Sequence, residues 1–211
     1  MYVNFCISLW LCYNLLNSSI GKLIMSNPRL IVGISGATGL IYGIRLLQVL
    51  QTMPIETHLV ITKSALLARA YETDLSVSEL KSLANVYHRC SDIAASIASG
   101  SYKTMGMIIA PCSMKSLGEI SQGIGGNLLT RAADVVLKER RRLVLMPRES
   151  PLHLVHLRNM VTITEMGGII FPPVPAFYQK PENIMDLVND TVARVLSLFD
   201  IECDLLHPWG D

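Results

Sequence analysis

Along this chain, short unbroken apolar runs alternate with longer stretches whose apolar residues recur every three or four positions. Arg29–Ile34, Thr57–Ile61, Met107–Ala110, Arg142–Met146 and Ile169–Phe171 are of strand length and bounded by charges or turn residues, so each predicts a β-strand. After the first run, Leu40, Ile41, Ile44, Leu47 and Leu50 fall on one helical face. Further helices are predicted over Lys63–Tyr71, Ser113–Ser121, Leu128–Arg140 and His153–Glu165. A last one over Glu182–Leu198 carries the stripe Ile184, Leu187, Val188, Val192, Val195 and Leu196. Such alternation predicts a parallel sheet with helices on both faces. The chain has no internal repeat and no linker, and Phe171–Pro175 reads as a rigid proline loop.

Composition narrows the class. At 211 residues the chain suits one domain with a sizeable core. Half of it is hydrophobic and 17% charged, a balance that fits a buried sheet and extensive subunit contacts. A formal net charge of +1 gives no electrostatic reason to expect nucleic acid as a partner. Cys6, Cys12, Cys90, Cys112 and Cys203 have neither CxxC pairing nor zinc-like spacing and read as reduced thiols of a cytoplasmic protein. Tyr2–Leu16 is apolar but too short for a membrane span, and it lacks the flanks of a secretory signal or a presequence. Translation is expected to start at Met25, leaving residues 1–25 as an extension outside the fold and 26–211 as the domain.

Candidate chemistry collects at predicted strand ends, where open α/β sheets bind ligands. The first strand runs into Ser35-Gly36-Ala37-Thr38-Gly39 and a helix start, whose free N–H groups and small residues suit a phosphate or merely close helix–strand packing. The spacing is not GxGxxG, and the second strand ends in Thr62-Lys63 where a dinucleotide ribose would need a carboxylate, which favours a mononucleotide over NAD. The third strand end carries Pro111-Cys112-Ser113-Met114-Lys115-Ser116. There Ser113 either caps the next helix or joins Lys115 in holding a phosphate or a flavin edge, while Cys112 reads as a small core residue. Arg148 and Glu149 end the fourth strand as an adjacent cation and carboxylate, either serving a ligand or forming a surface pair. Glu72 follows the helix that ends at Tyr71 and precedes Thr73-Asp74; Arg131, Lys138, Tyr178 and Arg194 are further anion-binding candidates. His153 and His156 share a helical face but have no third metal ligand, and no DDxxD-like cluster is available to hold a magnesium diphosphate.

Taken in order, GISGATG (Gly33–Gly39), ITKSA (Ile61–Ala65), ETD (Glu72–Asp74), PCSMKSL (Pro111–Leu117), RAADVVLKERR (Arg131–Arg141), PRE (Pro147–Glu149) and PAFY (Pro175–Tyr178) resemble the UbiX/Pad flavin prenyltransferase family, from about Arg29 to Trp209. The resemblance implies a flavodoxin-like (Rossmann-like) three-layer α/β sandwich, a homododecamer and no metal. It also implies reduced FMN as prenyl acceptor, dimethylallyl phosphate as donor, attachment at flavin N5 and C6, and a UbiD-type decarboxylase as recipient of the product. By the same resemblance, Gly36, Ala37, Thr38, Thr62, Ser113, Met114, Lys115, Ser116 and Arg148 are FMN contacts. Tyr178, Arg194, Lys138 and Arg131 would bind the prenyl phosphate, and Thr38, Glu72 and Glu149 are the catalytic positions, the two glutamates as acid/base groups. Thr38 stands where many members carry serine, so the hydroxyl is kept. A flavin-dependent cysteine decarboxylase and a non-catalytic flavin-binding subunit remain as alternatives. The first would not need the phosphate clamp of Lys138, Tyr178 and Arg194, the second would not need the glutamates.

Overall fold

The β1 run, Arg29–Ile34, is buried from Leu30 onward, and its side chains alternate between two separate cores. Leu30, Val32 and Ile34 face one core and Ile31 the other, as the two-residue period of a strand requires. The structure is a computed structural model that describes residues 27–205; the expected start at Met25, the extension before it, Cys6, Cys12 and Trp209 lie outside the described residues. The elements after β1 are α1 (Leu40–Leu50), β2 (Glu56–Ile61), α2 (Lys63–Glu72), α3 (Val77–Ser82), β3 (Val86–Arg89) and β4 (Gly106–Cys112). They are followed by α4 (Met114–Ser121), α5 (Leu128–Lys138), β5 (Arg142–Pro147), α6 (Leu154–Glu165), β6 (Ile169–Ile170) and α7 (Ile184–Ser197). Single turns of 3-10 helix occupy Ser96–Ala98 and Phe177–Gln179.

The six strands form one sheet in the order β3-β2-β1-β4-β5-β6, and every pairing is parallel. β1 sits between β2, in register from Arg29↔Glu56 to Ile34↔Ile61, and β4, in register from Leu30↔Gly106 to Gly33↔Ile109. Buried residues of α1 and α7 cover one face; those of α4 and α5, with Ile163 of α6, cover the other. This is the expected flavodoxin-like (Rossmann-like) three-layer sandwich, with the reversal of strand order between β1 and β4.

Local chemistry sets the element ends. Ser76 and Glu79 form a reciprocal capping box at α3, Asn127 and Thr130 form one at α5, and Asn183 and Asp186 form one at α7. The predicted start of the last helix, Glu182, therefore moves to Ile184, with Asn183 as the cap. His153 lies just outside α6 as its cap, Nδ1 accepting from the Val155 and His156 amides, while its ring stacks on His156 at 3.5 Å between centroids. α6 has an unusual surface: Ile163 is its buried residue, whereas Leu154, Val155, Leu157 and Val161 all face solvent in a single chain.

Two elements go beyond the sequence reading, β3 and α3. β3 is an edge strand whose polar His88 is half-buried because it packs on His58 of β2. The His58 Nδ1 lies 2.9 Å from His88 Nε2, and His58 Nε2 lies 2.8 Å from Glu56 Oε1. Arg29, 3.3 Å from Glu56, and the Tyr102 hydroxyl, 3.2 Å from His58 Nε2, complete the cluster. Burial lowers the affinity of both imidazoles for protons; the charge of His58 lowers that of His88 further, while Glu56 pulls His58 and Asp92 pulls His88 the other way. Burial alone would raise the Glu56 carboxyl, but the His58 hydrogen bond and the Arg29 charge hold it below its usual range.

These shifts share one sign. A histidine whose folded-state pKa lies below its unfolded value contributes stability above about pH 6.5 and loses it as pH falls through the depressed value. Glu56 acts in the same direction at lower pH. The melting temperature is therefore expected to fall from pH 7 toward pH 5, and to fall less in a His88→Phe variant. A flat or rising profile in thermal melts across that range would refute the reading.

Candidate functional site at the strand switch point

In an open parallel sheet the ligand crevice lies beyond the carboxyl ends where strand order reverses, here between β1 and β4, and the ends of β2, β1, β4 and β5 stand side by side there. At β1, Gly39 adopts a left-handed backbone (φ 100°) that turns the chain into α1, a conformation glycine takes without strain. No side chain within the turn caps α1. Its Gly39 and Leu40 amides instead donate to Glu72 Oε2 at 2.7 and 2.9 Å. Glu72, the last residue of α2, is thus the anion at the start of α1, where the helix dipole favours negative charge.

At β2, Thr62 caps α2 through an Oγ1 that accepts from the Ala65 amide, and it lies 3.1 Å from the exposed Ser64 hydroxyl. Gly36 packs so closely on Ser64 that a Cβ there would overlap the Ser64 Oγ. At β4, Ser113 caps α4 by accepting from the Ser116 amide, and its hydroxyl donates to Ser116 Oγ at 3.2 Å. Lys115 extends into solvent, 3.5 Å from Glu119 one turn on. Cys112 is fully buried and burial pushes its thiol up to about 12, so at neutral pH it is a core residue without thiolate character. At β5, Pro147 pairs with Cys112 and the Arg148 amide donates to the Cys112 carbonyl. Arg148 and Glu149 project into solvent, with Glu149 Oε1 accepting from the Ser150 amide at 3.2 Å.

One chain therefore gathers Gly36, Ala37, Thr38, Thr62, Ser113, Met114, Lys115, Ser116, Arg148, Glu149 and Glu72 around one crevice. The remaining candidates are carried by α5, by the 3-10 turn after β6 and by α7. Arg131, in the first turns of α5, pairs with Asp134 at 2.7 Å. Lys138 ends α5 just before β5 begins, hence at the amino ends of the strands, where it meets Glu139 at 2.5 Å and lies beside Gly100. Arg194 is in the last turn of α7 and donates to Ser197 Oγ at 2.7 Å. The chain then leads to Phe199, against Gly106, and to Asp200, against Arg142, so Arg194 also lies toward the amino ends. Tyr178 is half-exposed in the 3-10 turn leaving β6; its neighbour Gln179 donates to Asp190 of α7 at 2.9 Å.

Two polar residues at the crevice were not among the sequence candidates. Ser64 lies two residues after the capping threonine, and Ser35 is the first residue beyond β1. Ser35 is 0% exposed, and the signal for it was a hydroxyl residue directly after an unbroken apolar strand.

A switch point bordered by hydroxyls and by the side chains of Lys115 and Arg148, with a threonine rather than a carboxylate at the end of β2, suits an anionic mononucleotide. The Flavoprotein family model matches residues 20–196. The UbiX flavin prenyltransferase of Neisseria meningitidis serogroup B is 57% identical over 181 residues, covering 86% of this chain and 96% of that protein. That of Escherichia coli K12 is 56% identical over 184 residues, covering 86% and 97%. Among solved structures, AnUbiX (PadA1) in complex with FMN and dimethylallyl pyrophosphate superposes with a TM-score of 0.86 at 47% identity, over 88% of this chain and 98% of that one. The dodecameric FMN-dependent UbiX-like decarboxylase of Escherichia coli O157:H7 gives 0.85 at 49% identity, over 87% and 100%. The FMN-dependent cysteine decarboxylase SpaF, at 18% identity and a TM-score of 0.56, shares the fold alone. The chain belongs to the UbiX flavin prenyltransferase family.

Proposed function

We propose that this protein transfers the dimethylallyl group of dimethylallyl phosphate to N5 and C6 of reduced FMN, and that the prenylated flavin passes to a UbiD-type decarboxylase. The observation that carries the reading is the gathering, beyond the adjacent ends of β2, β1, β4 and β5, of groups that suit a flavin phosphate and ring edge: the Thr62, Ser64 and Ser116 hydroxyls and the Lys115 and Arg148 cations. Gly36, Ala37 and Thr38 follow β1 there, and Ser113 and Met114 open α4 beside them. Bound reduced FMN supplies the nucleophilic ring positions. The chain's work is to hold the flavin, bind the departing phosphate and move a proton, for which Glu149 at the end of β5 is the acid/base group and Glu72 a second. Positive charge and hydroxyl donors on the leaving phosphate stabilise the charge that builds there, the role of Lys138, Tyr178, Arg194 and Arg131.

Lys138 and Arg194 lie toward the opposite end of their own sheet, so in this reading a neighbouring copy brings them to the flavin. The exposed apolar row of α6 supports assembly into a homo-oligomer, for which the reading adopts the dodecamer. Among the described residues no helix is long and apolar enough to cross a membrane; the cytoplasm is the proposed place of action. Anaerobic incubation with reduced FMN and dimethylallyl phosphate is expected to yield a flavin heavier by one prenyl group. Tyr178→Phe and Arg194→Ala should raise the KM for the donor about 10-fold or more while leaving FMN affinity nearly unchanged. Absence of the heavier flavin, or tight binding of NAD without FMN, would overturn the proposal.

A further inference from the structure

Beyond the Gly33↔Ile109 pair, β1 and β4 leave their ladder, and the loops that follow carry the two walls of the crevice. Ser35 ties them through both its amide and its hydroxyl. The Ser35 hydroxyl donates to the Pro111 carbonyl at 3.1 Å and accepts from the Ser113 amide at 2.7 Å, while the Ser35 amide donates to the same Pro111 carbonyl at 3.1 Å. The hydroxyl is 0% exposed, so these partners alone satisfy it. Gly36 follows Ser35 directly, and Ser113 opens the Ser113–Ser116 turn.

We infer that Ser35 is a positioning residue for the flavin: its buried hydroxyl fixes the spacing between the Gly36–Thr38 loop and the Ser113–Ser116 turn. The hydroxyl is closed off by its two partners and the Ser113 amide is spent on it, so both act through the loops they join. The inference rests on the proposal that these loops hold FMN. The main-chain bond from the Ser35 amide reaches only Pro111; the hydroxyl carries the tie on to the Ser113 amide, where the Ser113–Ser116 turn begins. A side-chain bridge lets the backbones diverge while keeping their separation defined.

The test compares Ser35→Ala, which deletes the bridge, with Ser35→Cys, which keeps the volume and only a weak hydrogen-bonding group. FMN affinity is read by flavin fluorescence, with thermal melts and steady-state kinetics alongside. Ser35→Ala is expected to bind FMN about 10-fold more weakly and to have a lower kcat at saturating flavin, with an unchanged KM for dimethylallyl phosphate, whose clamp lies on other elements. Ser35→Cys should fall between Ser35→Ala and the parent. Parent-like FMN affinity and kcat in either folded variant would overturn the inference, as would a donor KM that rises in step with the loss of flavin affinity. If the parent protein itself failed to bind FMN, the functional proposal would fall first and the inference with it.

Discussion

The Glu149→Gln variant is expected to fold, to bind FMN with parental affinity and to form prenylated FMN about 10²–10⁴-fold more slowly. Glu149 stands exposed beyond the end of β5, anchored on one side by the Ser150 amide, so its other oxygen is available to a ligand over the crevice. Glutamine preserves the shape and the accepted hydrogen bond but removes the proton-transfer group. Single-turnover reactions followed by mass analysis separate binding from chemistry. A parental rate of product formation would remove Glu149 from the proton transfer.

A second large effect is expected from mixing two defective chains. Lys138→Ala removes a cation from the proposed phosphate clamp and should cost about 10²–10³ in turnover. Lys138 lies at the amino ends of the strands and Glu149 beyond a carboxyl end, so a site using both draws them from different copies. Random co-assembly of Lys138→Ala with Glu149→Gln chains in equal amounts then leaves about one quarter of sites with both groups intact. Activity should recover to about that fraction of the parent's. Recovery no greater than the sum of the two separate variants would mean that each site belongs to one chain.

The layered architecture was legible because a parallel sheet buried on both faces writes its strands as unbroken apolar runs. β3 broke that rule: it is an edge strand, and the polarity of His88 is met by His58, a partner thirty positions earlier in the chain. α3 spans six residues, too few for a periodic stripe, although Ser76 and Glu79 at capping-box spacing could have marked it. The crevice was visible as hydroxyls and charges just past strand ends. The contacts that organise it were not, since Ser35 finds Pro111 seventy-six positions away and Glu72 finds Gly39 thirty-three away. The position of Lys138 was implicit in the order of elements: a helix that ends just before a strand ends at that strand's amino side. Applied at the outset, that rule separates Lys138 from the flavin contacts within one chain.

The row formed by Leu154, Val155, Leu157 and Val161 along α6 makes concentration a stability variable for this protein. If neighbouring copies cover these side chains, part of the apolar burial that stabilises the fold is contributed only after chains meet. Dilution then weakens the fold as well as the assembly, and the melting temperature becomes a property of the sample rather than of the sequence.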